Sequence, residues 1–345
     1  MKRRYAILTE GYLADRHAKT AHGVMQYGRD DVVAVVDSAH AGSNALAVVP
    51  QLGRDCPIVA TMSEALAYRP TSLLLGVATA GGVVPPVFRA ALLEAIDAGL
   101  EIVSGLHEFL NDDAELVGRA RASGAKLWDV RKPPEAIPLF SGAAYEVPQT
   151  VVLALGSDCA IGKMTVMLEL ESAGRAQGGR PEFVATGQTG ILIAGKGIAV
   201  DRVISDFITG AAEQLVLGVD KTTDITLVEG QGSILHPAYA PVTLGLMYGC
   251  APDLYVLCHD AARDRVEEFD VPIPDLRTLA AMHDAWLAPV KPAQCVAVAL
   301  NTRSLDERSA RAAIEAAENL TGLPADDVVR FGATKLWRAV ASAAA

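Results

Sequence analysis

Short apolar runs alternate with longer amphipathic segments along the first part of the chain. The runs are rich in Val, Leu, Ile and Ala and have the length of buried strands. These predicted strands cover residues 5–8, 32–36, 72–75 and 101–103. The predicted helices cover residues 63–68, 86–98 and 112–123. Such alternation is typical of a parallel sheet with helices on both faces.

The second part of the chain repeats this alternation with different segments. Its predicted strands cover residues 151–155, 182–185, 225–228, 254–258 and 295–300. Its predicted helices cover residues 166–177, 203–217, 275–286, 306–320 and 334–343. The pattern predicts a second, mainly parallel α/β sheet.

A proline-rich segment at residues 130–138 lies between the two parts. Proline fixes an extended backbone and cannot donate a hydrogen bond to a sheet, so this segment is predicted to be a linker. The prediction is therefore two domains, at residues 1–147 and 148–345. In the first domain, Asp37 ends a predicted strand as the acidic residue of a Rossmann sheet does, but no GxGxxG turn follows the first strand. We expect a Rossmann-like scaffold there rather than a dinucleotide site.

A turn that contains glycines and a lysine follows the first strand of the second domain. Gly156 and Gly162 bracket the turn, and Lys163 comes directly after it. Glycines let backbone N–H groups face an anion, while the helix start and the lysine supply positive charge. The turn predicts a phosphate-binding loop and a P-loop NTPase-like fold. The residues predicted to bind a phosphorylated cofactor are Gly156, Ser157, Asp158, Cys159, Ala160, Ile161, Gly162, Lys163, Met164 and Thr165.

This loop departs from the common pattern in two ways. Five residues separate the glycines instead of four, and Met164 stands where a hydroxyl usually follows the lysine, with Thr165 one position later. The longer spacing resembles the dethiobiotin-synthetase branch of the P-loop proteins. The displaced hydroxyl weakens the case for a magnesium ligand. An ordinary strand-to-helix turn would explain the glycines but not the lysine.

Glu229 and His236 are the candidate catalytic residues. Glu229 ends a buried strand at the sheet edge where ligands of open α/β sheets collect, and glycines follow it. It is predicted to hold magnesium or to act as a base, or else to be a capping or salt-bridging carboxylate. His236, seven residues further on, is a candidate base because histidine is a common general base in enzymes, with a structural loop histidine as the alternative.

Four polar side chains are candidates for substrate binding: Gln188, Thr189, Arg131 and Arg263. The first two lie in a glycine-rich stretch at residues 186–197, which is predicted to be a loop close to a ligand. Arg131 lies at the domain junction and is a candidate partner for a carboxylate. In the same region Asp201 is predicted to be the N-cap of the helix at residues 203–217.

Composition narrows the class of protein further. Among 345 residues the formal net charge is −11, which argues against a nucleic-acid partner. The five cysteines form neither a metal-site cluster nor an evident disulfide framework, so no metal site is predicted. The start of the chain lacks a signal-peptide core and no apolar run reaches ~18 residues, so a cytoplasmic protein without a membrane span is expected. A homodimer or larger homo-oligomer is the expected assembly.

Taken together, several segments resemble one family over nearly the whole chain. They are AVVDSAHAG, DVRKPP, GSDCAIGKMT, TGQTGILIAG, LVEGQGSILHPAY and VLCHDAARD. The family is the D-glutamate N-acetyltransferase family, formerly a domain of unknown function, which pairs a Rossmann-like domain with a P-loop domain. The resemblance implies an acyltransferase that moves acetyl from acetyl-CoA to the amine of an acidic amino acid in D-amino-acid catabolism. D-glutamate is the leading candidate for that amino acid.

The residues themselves leave a second function open. A P-loop with Glu229 also suits a nucleotide and magnesium, so the alternative is a carboxylate–amine ligase that uses ATP and Mg²⁺ and forms an acyl phosphate. The same residues also suit acetyl transfer. The loop would bind the phosphates of coenzyme A, and Glu229 or His236 would accept a proton from the substrate ammonium. Backbone N–H groups at residues 230–233 would face the developing oxyanion.

Overall fold

The computed structural model describes residues 2–345, which form two compact units. The first unit contains the described residues up to Pro133 together with Gln188–Arg202. The second contains Pro134–Gly187 and Val203–Ala345. A short segment from the middle of the sequence thus belongs to the first unit, although its neighbours on both sides belong to the second. The domain limits drawn from the sequence, 1–147 and 148–345, stay a prediction.

The first unit is built on a sheet of six parallel strands. In chain order they are β1 (Arg4–Leu8), β2 (Asp31–Val36), β3 (Ile58–Val59), β4 (Ser72–Leu75), β5 (Glu101–Ser104) and β6 (Leu127–Asp129). They lie in the order β3-β2-β1-β4-β5-β6, and every pair is parallel. This is the strand order of a doubly wound Rossmann sheet, so the predicted Rossmann-like fold is confirmed.

Helices cover this first sheet. They are α1 (Lys19–Tyr27), α2 (Ala45–Val48), α3 (Met62–Leu66), α4 (Arg89–Asp97), α5 (Ala114–Ser123) and, from the middle of the sequence, α7 (Gln188–Ala194). Alternating strand residues such as Ala6, Leu8, Leu73 and Leu75 point into one apolar core with Phe88 and residues of α3 to α5. Burial of these side chains, at about 25 cal/mol for each Å², is the main stabilising contribution.

The second unit is built on another sheet of six parallel strands. They are β7 (Thr150–Gly156), β8 (Pro181–Val184), β9 (Ile225–Val228), β10 (Leu254–Asp260), β11 (Gln294–Asn301) and β12 (Ala325–Asp326). Their order is β12-β11-β10-β7-β9-β8. β7, which leads into the glycine–lysine loop, lies in the interior of the sheet and its residues 151–156 are buried.

The helices of the second unit connect these strands. They are α6 (Lys163–Ala176), α8 (Ile208–Leu217), α9 (Ala240–Gly249), α10 (Leu276–Leu287), α11 (Glu307–Thr321) and α12 (Thr334–Ala344). Helix α6 begins at the loop lysine itself and packs along β7 and β8. Both units are thus parallel α/β structures, and the predicted fold class is confirmed.

Two of the predicted elements were wrong in part. Residues 186–197 were expected to be a loop, but α7 occupies Gln188–Ala194, where apolar Ile191, Leu192 and Ile193 are buried. The helix expected from residue 203 begins at Ile208, after a short 3₁₀ helix at Ser205–Phe207. Separately, no helix among residues 2–345 combines the length and the apolar character that a membrane span needs.

Candidate functional site

The glycine–lysine loop occupies the carboxyl end of β7, at the middle of the second sheet. β9 lies on one side of β7 and β10 on the other. After β7 the chain first builds the β8–β9 side and then crosses to the β10–β12 side. Ligands of open parallel sheets bind at the carboxyl edge where the strand order reverses in this way. The loop therefore lies where this fold places ligands.

Backbone geometry explains why glycine is needed in the loop. Gly162 has a φ of 104°, which a residue with a Cβ rarely adopts. A Cβ on Gly156 would lie 2.6 Å from the carbonyl oxygen of Cys258 on β10. Ala160 also has a positive φ, 53°, and thus sits in a strained left-handed conformation. The turn is tight, and its main chain can approach a ligand closely.

Lys163 is the buried cation of this loop. Its side chain is only 6% exposed, and Nζ donates a hydrogen bond to the carbonyl oxygen of Asp158 at 2.6 Å. Burial lowers the pKa of this ammonium, while the nearby Asp158 and Glu229 carboxylates act in the opposite direction. A bound anion would remove the cost of burying this charge, so the site favours a negatively charged ligand.

Asp158 and Arg263 form an ion pair that supports the loop. The fully buried Asp158 carboxylate accepts from Arg263 Nη1 at 2.6 Å and from the main-chain N–H of Glu267 at 2.8 Å. Its other oxygen accepts from the N–H of Cys159 at 2.7 Å. Arg263 also donates to the carbonyl of Cys159 at 3.1 Å. The guanidinium is thus committed to the loop, and the substrate-binding role predicted for Arg263 stays a prediction.

Glu229 lies at the end of β9, next to the lysine. A single oxygen, Oε2, accepts from the main-chain N–H groups of Thr186 at 2.9 Å and Gly187 at 3.0 Å. Thr186 Oγ1 in turn donates to the Glu229 carbonyl at 2.9 Å. At Gly230 a Cβ would lie 3.0 Å from Lys163 Cδ and 1.7 Å from the carbonyl of Ala154. The strand end is thus packed directly against the loop, with the carboxylate held in one orientation.

His236 is a buried ring with a defined orientation. It is 2% exposed and contacts Tyr239 and Phe269, with ring centroids 4.5 Å and 5.1 Å away. The main-chain N–H of Ala238 donates to His236 Nδ1 at 3.2 Å. Because Nδ1 accepts this hydrogen bond, it carries no proton, and the neutral ring carries its proton on Nε2. The ring therefore presents Nε2–H, a donor.

His236 lies beside the loop and forms a cluster with two of its residues. One ligand atom from each of Asp158, Cys159 and His236 lies within 4.8 Å of the others. Three such donors in one place are a possible cation site. Here, however, both Asp158 oxygens already accept hydrogen bonds, and the ammonium of Lys163 and the guanidinium of Arg263 are adjacent. Two fixed positive charges disfavour a metal cation and favour an anion.

A second histidine at the loop was not among the predicted site residues. His259, near the end of β10, lies 2.9 Å through Nδ1 from Ser157 Oγ. Burial lowers the pKa of this ring. The sequence signal was a polar pair, His259-Asp260, at the end of a predicted strand, which is weak because many strands end in polar residues. Only the strand order shows that this end adjoins the loop.

Arg131, Gln188 and Thr189 belong to the first unit, where the first two are in direct contact. Arg131 Nη2 donates to Gln188 Oε1 at 2.7 Å, and its Nε donates to the carbonyl of Gly105 at 2.7 Å. Thr189 Oγ1 lies 3.3 Å from Thr20 Oγ1. Arg131 also forms an ion pair with Asp201.

Asp201 does not cap a helix as predicted. It lies inside a short 3₁₀ helix, Val200–Arg202, and pairs with Arg131. The sequence gives no sign that Asp201 pairs with the distant Arg131, so only the local capping pattern was available for the prediction. His107 Nε2 lies 3.9 Å from Asp201, and burial together with Arg131 lowers the pKa of that ring.

The structure thus sorts the predicted residues into two groups. The loop, Glu229, His236 and Arg263 lie together in the second unit, at one end of its sheet. Arg131, Gln188 and Thr189 lie in the first unit. Fold and loop together define an α/β protein that joins a Rossmann-like unit to a P-loop unit.

Comparison with known proteins identifies the family. Residues 138–337 match the family model described as the DUF1611_C P-loop domain of unknown function. Residues 38–133 match the model described as the DUF1611_N Rossmann-like domain. The chain belongs to the DUF1611 family.

Relatives that match most of the chain support this membership. A D-glutamate N-acetyltransferase of Tritonibacter scottomollicae is 36% identical over 329 residues, 94% of each chain. A protein of the same name from Pseudoalteromonas sp. is 36% identical over 274 residues, 79% of this chain and 82% of its own. The crystal structure of a DUF1611 family protein from Anabaena variabilis ATCC 29413 is 38% identical, with a TM-score of 0.94 over 99% of this chain and 100% of its own. The family predicted by resemblance is confirmed.

Proposed function

We propose that this protein is an N-acetyltransferase that moves the acetyl group of acetyl-CoA to the amine of D-glutamate, in the catabolism of D-amino acids. The observation that carries this proposal is the similarity, over 94% of both chains, to a protein named D-glutamate N-acetyltransferase. The similarity extends over 329 residues and therefore includes most of both units.

The loop of the second unit fits the proposed acyl donor. Coenzyme A carries a pyrophosphate and a ribose phosphate, and either anion suits the main-chain N–H groups and the buried ammonium of Lys163. No divalent cation is needed for this, since Lys163 and the start of α6 supply the positive charge. The donor would thus be held by its phosphates, leaving its thioester free to reach the amine.

Acetyl transfer requires a base and an oxyanion site. The substrate ammonium gives one proton to the base, and the free amine attacks the thioester carbon. The C–S bond then breaks, and the coenzyme A thiolate takes up the second proton that the nitrogen loses as the amide forms. Glu229 is the proposed base, since its carboxylate is held in place by two main-chain N–H groups. Main-chain N–H groups of residues 230–233 are the proposed donors to the developing oxyanion.

The two carboxylates of D-glutamate call for a cation with several donors. Arg131, which donates a hydrogen bond to Gln188, is the proposed partner on the first unit, and Gln188 and Thr189 are proposed as further contacts to the substrate. Arg131 is already paired with Asp201. Substrate binding would therefore exchange the Asp201 carboxylate for one from the amino acid.

The alternative function, an ATP-dependent carboxylate–amine ligase, was suggested by the loop and Glu229 and is not favoured. Met164 occupies the position of the usual magnesium-binding hydroxyl. The two curated relatives are named as acetyltransferases, not as ligases. Formation of ADP that depends on an added amine would be the result in favour of the ligase.

The test is an assay of free thiol with purified protein, acetyl-CoA and D-glutamate. We expect stoichiometric release of coenzyme A and formation of N-acetyl-D-glutamate, identified by its mass. L-glutamate, D-aspartate and D-alanine, assayed in parallel, measure selectivity for the D configuration and for the second carboxylate. Absence of thiol release with every amino acid of the panel would overturn the proposal.

A further inference from the structure

We infer that His236 binds the acyl donor by donating its Nε2–H to one of the donor's phosphates, and does not act as the general base. This inference rests on the proposed function, since it takes the donor to be a phosphorylated thioester. It assigns a residue to donor recognition that the sequence presented as a candidate base.

The protonation of the ring is the first step of the argument. Nδ1 accepts the main-chain N–H of Ala238, so the lone pair that a neutral histidine would use as a base is already engaged. Protonating Nδ1 would place two N–H groups face to face. The nitrogen left to contact a ligand is therefore Nε2, and it acts as a donor.

The immobility of the ring is the second step. His236 is 2% exposed and is held between Tyr239 and Phe269. A donor whose orientation is fixed by packing loses little entropy when a ligand binds. Within the residues that the structure describes, the ring has no side-chain hydrogen bond other than that from Ala238, so Nε2–H is available to a ligand.

The location of the ring is the third step. A ring nitrogen of His236 lies within 4.8 Å of Cys159 Sγ and of the Asp158 carboxylate, both in the phosphate-binding loop. The charge of Asp158 is compensated by Arg263, so this carboxylate does not repel an anion strongly. Met164 replaces the hydroxyl that usually follows the lysine, and the histidine adds a neutral side-chain donor beside the loop.

The experiment combines two variants with two acyl donors. His236→Gln keeps an N–H at the position of Nε2, whereas His236→Asn removes it. Acetyl-CoA carries the phosphates, and S-acetyl-N-acetylcysteamine carries the same thioester without them. The assay compares kcat/KM for both donors, and calorimetry compares the binding of coenzyme A with that of pantetheine, which has no phosphate.

With acetyl-CoA we expect His236→Asn to lower kcat/KM about 10- to 100-fold, the usual contribution of a hydrogen bond to a charged group. His236→Gln should stay within about threefold of the unsubstituted protein. With the truncated thioester all three proteins should be equal within about threefold. Calorimetry should show weaker binding of coenzyme A, but not of pantetheine, to the Asn variant.

Other results would overturn the inference. A loss in His236→Asn that is equally large with the truncated thioester would place the histidine at the reacting carbon or make it the base. If His236 were the base, both variants would also lose the acidic limb of the pH–rate profile. If the unsubstituted protein transfers no acetyl group, the proposed function fails, and the calorimetric comparison still decides whether His236 contacts a phosphate. Thermal unfolding curves show whether each variant is folded.

Discussion

At the scale of single residues, the loop is an arrangement of charges that support one another. Lys163 is buried and donates to the backbone of Asp158, while the Asp158 carboxylate is held by Arg263. Each of these groups would be costly to bury alone. The arrangement explains why an arginine far along the sequence lies at the loop, where it was expected to contact substrate.

Replacing Arg263 tests this supporting role. In Arg263→Met the buried Asp158 carboxylate loses its guanidinium partner, and we expect the free energy of unfolding to fall by about 2 kcal/mol. The KM for acetyl-CoA should rise, and the KM for D-glutamate should not change. Urea unfolding and initial rates measure the three quantities.

Arg265→Met is the matched control for this substitution. Arg265 lies two residues later, is 53% exposed and pairs with Asp270 at the surface. Its loss should change stability by less than about 0.5 kcal/mol. A rise in the KM for D-glutamate alone in Arg263→Met would instead support the substrate-binding role first predicted for this residue.

Glu229→Gln separates charge from geometry at the candidate base. Both hydrogen bonds from the main chain go to one carboxylate oxygen, so a glutamine oxygen can accept them both. The melting temperature should therefore change little, while kcat falls at least about 100-fold because the base is lost. Retention of more than a tenth of kcat would exclude Glu229 as the base. Glu315→Gln, on the exposed face of α11, serves as the control.

At the scale of elements, close packing at strand ends determines where glycine is required. Gly230 follows β9, and a Cβ there would lie 1.7 Å from the carbonyl of Ala154 on β7. We expect Gly230→Ala to destabilise the protein by about 2–3 kcal/mol, the upper part of the usual range for overpacking. Gly118→Ala is the contrasting case, because no atom lies within 4 Å of its Cβ in α5.

Alanine at 118 should stabilise the protein by up to about 1 kcal/mol, since it favours the helix more than glycine does. Denaturant titration of both variants gives the two changes. An equal change in the free energy of unfolding in the two variants would contradict this prediction. It would mean that β7 and β9 separate easily enough to admit a methyl group, so the close approach at Gly230 does not limit stability.

Helix α10 contains a histidine that makes stability depend on pH. His283 is fully buried, and burial lowers its pKa from 6.5 to about 4. Below pH 6.5 the unfolded chain takes up a proton that the folded chain refuses, so stability falls as pH decreases toward 4. Between pH 7 and pH 5 the loss due to this group should be about 2 kcal/mol.

His283→Leu checks this dependence. The variant loses the hydrogen bond from Nδ1 to the carbonyl of Leu279, at 2.8 Å, so its absolute stability is not the readout. The readout is the difference between the two proteins in their loss of unfolding free energy from pH 7 to pH 5. If both proteins lose the same amount, His283 is protonated in the folded state as easily as in the unfolded chain.

The elements that the sequence predicted well are those with a simple pattern. β1, β4 and β9 are short and mainly apolar, and each was placed within one residue of its observed bounds. Helix α9 was missed because its residues are apolar on nearly every side, which leaves no amphipathic period to detect. Helix α1 was missed because glycine and polar residues interrupt its pattern.

The candidate site likewise contains features that the sequence could predict and others that it could not. Lys163 and Glu229 could be placed in one pocket because parallel strands bring their carboxyl ends together. The contacts of Asp158 with Arg263 and of Arg131 with Asp201 depend on long-range packing, for which neither spacing nor periodicity gives a signal. The protonated nitrogen of His236 is likewise set by a loop conformation that the sequence does not reveal.

At the scale of the whole molecule, ligand binding should be visible as stability. A ligand that binds only the folded state at about 100 times its Kd stabilises that state by about 2.7 kcal/mol. For a unit the size of the second one, we expect coenzyme A to raise the melting temperature by roughly 5–10 °C. Differential scanning calorimetry with and without the ligand measures the shift.

Lys163→Ala should abolish most of this shift, whereas Lys2→Ala, at an exposed surface pair with Asp31, should leave it intact. Pantetheine should give no comparable shift, because it lacks the phosphates. An unchanged shift in Lys163→Ala would mean that coenzyme A binds away from the loop, and the proposed site would have to be moved.

The position of residues Gln188–Arg202 has a consequence for synthesis on the ribosome. These residues belong to the first unit, yet they are translated after β7, α6 and β8 of the second. The partner that Asp201 provides for Arg131 thus does not exist while the first 133 residues emerge from the exit tunnel. Domains generally fold in order of their appearance. Here the nascent first unit cannot complete its contacts until β7, α6 and β8 of the second unit and then α7 have been translated.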